Sequence, residues 1–293
     1  MPASNVPSEQ ASPTQPFPVK PTSLSRQRVS ESDLTPKDLA ACRRTFRELR
    51  NEGVFTPPDT KGSLHVPGNI GGLHWGGMAW DPRHRLLIAP VNHWPAVIRL
   101  LPRSELEQAR QAFSRRETTE QDGAPYAISR EFFLSPSGAP CIEPPWGELV
   151  AVHADTGDEA WRVPLGDLGD IWPATPGRPT GSPNLGGPAT TDTGVVFIGA
   201  TFDGYFRAFA TRDGRELWKA RLPASARATP LIFTKEDEAD GGARQMVAIA
   251  AGGHGLPDLP IGTKLVVFSL GPAPTEAERA LTVSAAARPK PPP

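Results

Sequence analysis

Residues 182–233, which read SPNLGGPATTDTGVVFIGATFDGYFRAFATRDGRELWKARLPASARATPLIF, decide the fold. This stretch holds four runs with the β-branched and aromatic composition of strands, and turn signals separate them. Asp203-Gly204 and Asp213-Gly214 are tight-turn dipeptides, because glycine accepts a positive φ. The predicted strands are residues 195–198, 205–209, 217–220 and 228–233. Four antiparallel strands in about fifty residues predict one blade of a β-propeller, or part of another meandering sheet.

A spaced repeat favours the propeller, which is built from repeated blades. Residues 147–161 and 204–218 both read G-x-x-x-A-x-x-x-x-x-G-x-x-x-W, so that Trp161 and Trp218 lie 57 residues apart. A third copy opens at Gly262 and stops before its tryptophan. The alternative is a chance similarity of two hairpins, but two gapless matches favour a repeat. Such a motif predicts an alanine at a close approach of blades, a turn glycine, and an indole between neighbouring sheets.

Composition and motifs bound the class of protein. The 293 residues contain 35 prolines and 28 glycines, which indicates a turn-rich β protein of one large or two smaller domains. The net charge of -1 suggests no nucleic-acid partner. The sequence shows no signal peptide, no apolar run long enough to cross a membrane, and no dinucleotide, P-loop, C-x-x-C or H-E-x-x-H motif. Cys42 and Cys141 are either a disulfide or two free thiols, and the second reading is at least as well supported.

Several segments together resemble one family. They are SPTQPFPVKP (12–21), FTPPDTKG (55–62), GGLHWGGMAWDP (71–82), PCIEPPWG (140–147) and GGHG (252–255). With the repeat, which resembles a tryptophan-docking motif, they are similar to the C-terminal part of membrane-bound quinoprotein glucose dehydrogenases. These belong to the pyrroloquinoline quinone (PQQ) dehydrogenase family, which includes quinate/shikimate dehydrogenases.

The resemblance implies an all-β fold with a short helical insertion. It implies about four C-terminal blades of an eight-bladed propeller of the quinoprotein alcohol dehydrogenase type, and hence a piece of a truncated, split or frameshifted gene. The predicted organisation is an extended Pro/Ser-rich segment (1–29), an insertion with one helix at 38–51 (30–67), a partial propeller (68–270) and a disordered tail (271–293). Within the propeller, residues 68–103 are predicted to form a blade-like unit with strands at 75–80, 86–91 and 96–100. A short surface helix is predicted in 104–119, and residues 167–186 form a long loop typical of functional sites.

Four residues are candidates for the site. On the residues alone, Asn92 and Asp203 are turn residues, His254 is a loop residue and Gly166 is a strand-end glycine. The resemblance instead implies that Asn92 and Asp203 bind the cofactor, and that His254 and Gly166 lie in the substrate region. It assigns no catalytic base and no metal ligand to this chain. His74 stands where relatives often have asparagine.

The resemblance also implies the chemistry. The cofactor is PQQ, with Ca²⁺ or Mg²⁺ held mostly by residues outside this chain. The expected reaction is the oxidation of glucose to gluconolactone, or of a related polyol, with ubiquinone as acceptor. The expected location is the periplasmic side of the inner membrane, and a separate chain carrying the N-terminal half is a possible partner. The alternatives are a quinate/shikimate dehydrogenase fragment and a non-catalytic propeller fragment that acts as a binding module.

Overall fold

The computed structural model describes residues 1–7, 9–10, 12–112, 117–169, 179–236, 243–254 and 260–269. The predicted tail, part of the 167–186 loop and Gly255 of the GGHG segment lie outside these residues. The described helices are two 3₁₀ turns, Glu31–Asp33 and Arg103–Glu105, and two α-helices, α1 (Leu39–Glu48) and α2 (Leu106–Ala112). The described strands are β1 (Ser63–His65), β2 (Ala79–Asp81), β3 (Leu86–Asn92), β4 (Ala96–Pro102), β5 (Glu117–Thr119), β6 (Tyr126–Phe132), β7 (Gly147–His153), β8 (Glu159–Pro164), β9 (Ala189–Thr190), β10 (Val195–Ile198), β11 (Tyr205–Ala210), β12 (Glu216–Arg221), β13 (Leu231–Glu236), β14 (Ala243–Ala251) and β15 (Lys264–Ser269).

The chain divides into two compact units. Unit 1 holds the described residues of Met1–Gly72, Val91–Gly147 and Gly169–Pro183; unit 2 holds those of Leu73–Pro90, Glu148–Leu168 and Asn184–Pro293. The chain leaves unit 2 within β3 and returns to it within β7, so unit 1 contains the whole segment between these two neighbouring strands. The domain boundaries drawn from the sequence remain a prediction.

Unit 1 contains one four-stranded sheet in the order β1-β4-β6-β5. Its longest pairing is antiparallel, from Ala96 opposite Phe132 to Pro102 opposite Tyr126. Helix α1 confirms the predicted helix with shorter ends, and its buried residue Cys42 forms a disulfide with Cys141, 99 residues away. The disulfide settles the alternative that the sequence left open.

Unit 2 contains three sheets, in the orders β2-β3-β7-β8, β9-β10-β11-β12 and β13-β14-β15. Among the residues of this unit that the structure describes, buried aliphatic and aromatic side chains form two clusters, each between neighbouring sheets. The first consists of Leu86, Ile88, Leu149, Ala151, Leu165, Val196, Ile198, Ala200 and Phe209. The second consists of Phe206, Leu222, Ala226, Val247, Ile249 and Ala251. The sheets of this unit therefore stack through apolar faces, as the blades of a propeller do.

The repeat occupies equivalent places in two of these sheets. Ala151 pairs with Trp161, Ala208 pairs with Trp218, and the register shifts immediately after each alanine. The repeat glycines have φ of 74° and 71°, in the region that favours glycine. The indole Nε1 of Trp161 donates to the Thr211 carbonyl at 2.7 Å, so the first copy binds the turn of the second. This arrangement confirms the repeat and the position of its first tryptophan between sheets.

Two predicted blade assignments are wrong. The predicted strand at 228–233 begins the next sheet as β13, and the two-residue strand β9 completes the sheet of β10, β11 and β12. Residues 75–78 are not a strand, because Gly77 turns the chain with φ of 71°, and the pairing with β3 begins at Ala79 in β2. Strand β4 leaves that sheet for the one containing β1, because Pro95 lacks the N–H that a continued ladder needs. Of the predicted 104–119 helix, α2 is helical, whereas Glu117–Thr119 is strand β5.

Candidate functional site

Asp203 lies in the turn between β10 and β11, and its side chain is only 8% exposed. Its Oδ1 accepts hydrogen bonds from the Thr201 hydroxyl (2.6 Å), the Tyr205 N–H (3.1 Å) and Arg207 Nη1 (3.0 Å). Its Oδ2 accepts from Arg207 Nη2 (2.6 Å) and the Asp167 N–H (2.9 Å). Burial raises the pKa of Asp203, but Arg207, Thr201 and the Asp167 N–H outweigh it and hold the pKa below its usual value. The carboxylate is thus ionised, and both of its oxygens already accept hydrogen bonds from the protein. A carboxylate in this state is unsuited to act as a general base.

Gly166 connects the end of β8 to this carboxylate. It follows the buried Leu165 and has φ of 82°, a conformation that glycine adopts without the steric cost other residues meet. The turn brings the N–H of the next residue, Asp167, onto Asp203. Two of the sequence-predicted site residues are therefore linked directly.

His254 is a buried imidazole, 3% exposed, with neither ring nitrogen hydrogen-bonded with normal geometry to any described residue. Its ring lies 4.5 Å from that of Phe202, centroid to centroid. Burial lowers the pKa of His254 to about 4; an interaction with the Thr201 backbone opposes this, and the charges of Arg227 and His74 add to it. His254 is therefore neutral near pH 7, with one nitrogen able to donate and the other to accept.

His74 and Asn184 form a second polar pair of unit 2. The Gly76 N–H donates to Nδ1 of His74 at 3.1 Å, so the neutral ring carries its proton on Nε2 and donates to Asn184 Oδ1 at 3.2 Å. Burial lowers the pKa of His74, and the hydrogen bond to Asn184 only partly opposes this. Asn184 is fully buried and bridges to Thr201 across the backbone. Thr201 thus adjoins Asn184, Asp203 and His254.

Arg227, Trp75 and Ser225 complete this cluster. Arg227 Nη1 donates to the His254 carbonyl at 3.3 Å, and its guanidinium lies 5.9 Å from the centre of the exposed Trp75 ring. No acidic side chain among the described residues pairs with Arg227. The Ser225 hydroxyl is buried and has no hydrogen-bond partner in the described part of the chain. The charged guanidinium of Arg227 therefore lies beside the buried polar groups of His254 and Ser225, which make no hydrogen bond of normal geometry to a described residue.

The structure brings three of the four predicted residues together. Gly166, Asp203 and His254 all lie in unit 2: Thr201 adjoins Asp203 and His254, and the turn at Gly166 brings the Asp167 N–H onto Asp203. Asn92 belongs to unit 1, where it ends β3, is fully buried and donates its N–H to the Gly72 carbonyl at 2.8 Å. The roles of all four in binding remain predictions.

Sequence reasoning missed several members of the cluster. Asn184 falls within the long loop that was singled out, and His74 was noticed only as a departure from relatives. Arg227 and Ser225 stand in a linker without any local signal. The Gly253 N–H donates to the Ser225 carbonyl at 2.7 Å, which places this linker beside the segment that carries His254.

The described residues fit part of the expected cofactor site. Among them, no three His, Cys, Asp or Glu side chains are placed to hold a metal ion. The unmade hydrogen bonds of His254 and Ser225, beside the guanidinium of Arg227, fit a ligand that carries polar or anionic groups. A quinone with carboxylate substituents is such a ligand.

The sheets of unit 2 define a protein of the β-propeller class, and comparison with known proteins gives the family. The family model described as "PQQ: Glucose/ethanol/alcohol dehydrogenase, beta-propeller domain" matches residues 1–247. The chain belongs to this family of PQQ-dependent dehydrogenases, as its sequence motifs indicated.

Curated proteins that are similar to this chain support the same family assignment. The chain is 36% identical over 262 residues to the quinate/shikimate dehydrogenase (quinone) of Acinetobacter baylyi, covering 85% of this chain and 32% of that protein. It is 37% identical over 276 residues to the quinoprotein glucose dehydrogenase of Escherichia coli, covering 88% and 33%. Among solved structures, the quinohemoprotein alcohol dehydrogenase from Comamonas testosteroni aligns with 71% of this chain and 27% of its own, at 23% identity and a TM-score of 0.46. The chain spans about a third of the length of the two curated relatives.

Proposed function

We propose that the chain is the C-terminal part of a PQQ-dependent dehydrogenase that oxidises glucose or a related polyol, such as quinate, and passes the electrons to ubiquinone. The observation that carries the proposal is the neutral, buried imidazole of His254, which makes no hydrogen bond of normal geometry to a described residue, in a chain of this family. Such a group supplies one donor and one acceptor to a substrate hydroxyl. The curated relatives include both glucose and quinate dehydrogenases, so they support both substrates.

The proposed roles follow from the geometry. PQQ, when bound, accepts the electrons of the alcohol, and a divalent ion beside it polarises its carbonyl. Asn92 in unit 1 and Asp203 in unit 2 are each proposed, from the family resemblance, to contact the cofactor. Because Asp203 is already saturated with hydrogen bonds, its part is to fix Thr201 and the Gly166 turn. His254 orients the substrate, and the general base is proposed to come from the part of the relatives that this chain does not cover.

Exposed apolar residues support the need for that missing part. In the sheet β13-β14-β15, Ile232, Val266 and Phe268 pack inward. The alternate residues Leu231, Phe233, Leu265 and Val267 are exposed. Among the described residues β15 pairs only with β14, whereas β7 and β11 each have strands on both sides. An open apolar face and edge of this kind need covering.

Two observations bear on the location. The Cys42–Cys141 disulfide favours an oxidising compartment, and the periplasmic face of the inner membrane is proposed. No helix in the described ranges has the length and apolarity needed to cross a lipid bilayer.

The test is dye-linked oxidation of glucose and of quinate by the purified chain, with PQQ and Ca²⁺ or Mg²⁺, with and without the N-terminal portion of a relative. We expect no turnover by the chain alone, because a misplaced or missing base costs a factor of about 10²–10⁴ by itself. Turnover should appear when the N-terminal portion is added. Turnover by the chain alone would contradict the fragment proposal. No turnover in either case, with PQQ bound, would favour the non-catalytic binding module.

A further inference from the structure

We propose that Arg227, with His254 and Ser225, forms a subsite for a carboxylate group. The inference rests on the proposed function and deepens it, because a carboxylate subsite distinguishes a hydroxy acid from a neutral sugar. The same chemistry has two sources, the carboxylate of a substrate such as quinate and the carboxylates of PQQ itself. The experiment below separates them.

The charge of the cluster favours an anion. Arg227 carries a full positive charge and has no acidic partner among the described residues. The two imidazoles near it, His74 and His254, are neutral, since burial and the guanidinium both disfavour their charged forms. Asp203, which is linked to the cluster through Thr201, is neutralised by Arg207 at 2.6 Å. The local charge is thus positive and left uncompensated by the described side chains.

The geometry of Arg227 favours a planar two-oxygen group. One donor, Nη1, binds the His254 carbonyl, and the guanidinium rests on the Trp75 ring. These two contacts hold the planar guanidinium in place. Nε and Nη2 have no hydrogen bond to any described residue, and a guanidinium with open donors binds carboxylates in a bidentate manner.

Buried polar atoms mark where the rest of the ligand lies. Apart from the interaction of His254 with the Thr201 backbone, both ring nitrogens of His254 and the hydroxyl of Ser225 are buried without a hydrogen bond of normal geometry to any described residue. Leaving a buried donor or acceptor unpaired is costly, so such groups in a folded protein are commonly satisfied by a ligand or by water. A hydroxy acid presents a carboxylate to Arg227 and hydroxyl groups to His254 and Ser225. Glucose offers hydroxyl groups alone and leaves the guanidinium unpaired.

The test compares Arg227→Gln with Arg221→Gln in the 293-residue chain. Arg221 is a matched control, because it is also exposed and its guanidinium lies 5.7 Å from the centre of an aromatic ring, Tyr205, away from the cluster. Binding of quinate, glucose and PQQ is measured separately by calorimetry, and PQQ also by quenching of tryptophan fluorescence. Thermal melts establish that both variants fold. Arg227→Lys keeps the charge without the fork and should weaken binding less than Arg227→Gln.

We expect quinate to bind more tightly than glucose. The Kd for quinate should rise at least tenfold in Arg227→Gln and should not change in Arg221→Gln. That result assigns the carboxylate to the substrate. If PQQ alone binds in an Arg227-dependent way, the subsite stands and belongs to the cofactor. If neither carboxylate ligand binds, or if the two variants behave alike, the subsite is overturned. Turnover after addition of the N-terminal portion is a separate readout. Turnover that is indifferent to Arg227 overturns the subsite alone, whereas its absence for both substrates contradicts the proposed function.

Discussion

Two sheets of unit 2 carry the same sequence repeat but are assembled differently. The sheet β9-β10-β11-β12 is a meander of strands that follow one another within residues 189–221. The sheet β2-β3-β7-β8 is interrupted between its second and third strands by residues 93–146, which belong to unit 1. Even so, both have an alanine opposite a tryptophan, a register shift after the alanine and a glycine at positive φ. Local sequence therefore sets the hairpin, whatever length of chain precedes it.

The two copies differ in what surrounds them. The residue before the repeat is Trp146 in the first copy, where its indole donates to the Ile142 carbonyl at 3.0 Å. In the second copy it is Asp203, with its five hydrogen bonds. Trp161 binds the Thr211 carbonyl and packs on the following copy, whereas the Trp218 indole has ring contacts with Phe206 and Phe268 and no hydrogen bond to a described residue. We call the first arrangement a closed junction, because the indole is hydrogen-bonded to the next copy of the repeat, and the second an open junction, because its indole makes ring contacts without a hydrogen bond to a described residue.

The largest effect on stability is expected from the disulfide of unit 1, the unit that contains the segment interrupting the sheet β2-β3-β7-β8. Replacing Cys42 and Cys141 with serine should lower the free energy of unfolding by about 4 kcal/mol, because the disulfide closes a loop of nearly one hundred residues. Denaturant unfolding measures this, and reduction of the wild-type disulfide should give the same loss. Hydrogen exchange should show lost protection in β6 but not in β10 or β11. Equal loss of protection in both sheets would contradict the view that the sheet β9-β10-β11-β12 is stable without the disulfide.

Asp203→Asn should cost about 3 kcal/mol at pH 7, because it leaves the buried guanidinium of Arg207 without its closer, buried ionic partner. The pKa of Asp203 is lowered in the fold, so its stabilisation is present above the unfolded value near 3.8 and is lost as the pH falls below it. The gap between variant and wild type in urea should narrow at pH 3. The control is Glu216→Gln, which removes the more exposed partner of Arg207. An equal effect of both substitutions would mean that Asp203 is not the anchor of the second copy.

Gly214→Ala should destabilise the protein by about 2 kcal/mol more than Gly204→Ala. Both glycines have a positive φ, 71° and 75°, so both variants bear the same backbone strain. A Cβ at Gly214 meets the Trp161 ring at 2.6 Å, whereas a Cβ at Gly204 has nothing within 4 Å. The difference between the two variants in thermal or urea unfolding thus measures the overpacking of the indole alone. Equal losses would show that the junction yields without cost.

Trp161→Phe should cost about 1 kcal/mol more than Trp218→Phe, which is the net worth of one hydrogen bond. The first variant leaves the Thr211 carbonyl without its indole donor, and the second removes no hydrogen bond to a described residue. Urea unfolding of the two variants gives the comparison. A larger loss for Trp218→Phe would reverse the assignment of closed and open junctions.

Much of unit 2 was predictable, because its information is local. Residues 195–198 were predicted as a strand and are β10, and the Asp-Gly turns and the tryptophan repeat fall where the pattern put them. Errors arose where pairing is not local. Strand β9 has two residues and carries no pattern. The run from Gly68 to Arg103 was predicted as one blade-like unit, although its last strand pairs with β1. Periodicity reports which residues are buried, and it contains nothing about which sheet buries them.

The sequence by itself determined the family, the β-rich class and the repeat, because motifs and turn chemistry depend on neighbouring residues. The resemblance that those motifs carry named Asn92, Gly166, Asp203 and His254 as candidates. Only the tertiary structure decided that Cys42 and Cys141 are bonded, that Asp203 is saturated by Arg207, and that Arg227 and Ser225 stand beside a buried imidazole. The physical reason is that pairing, burial and charge compensation depend on groups that are far apart in the chain and meet only when it folds.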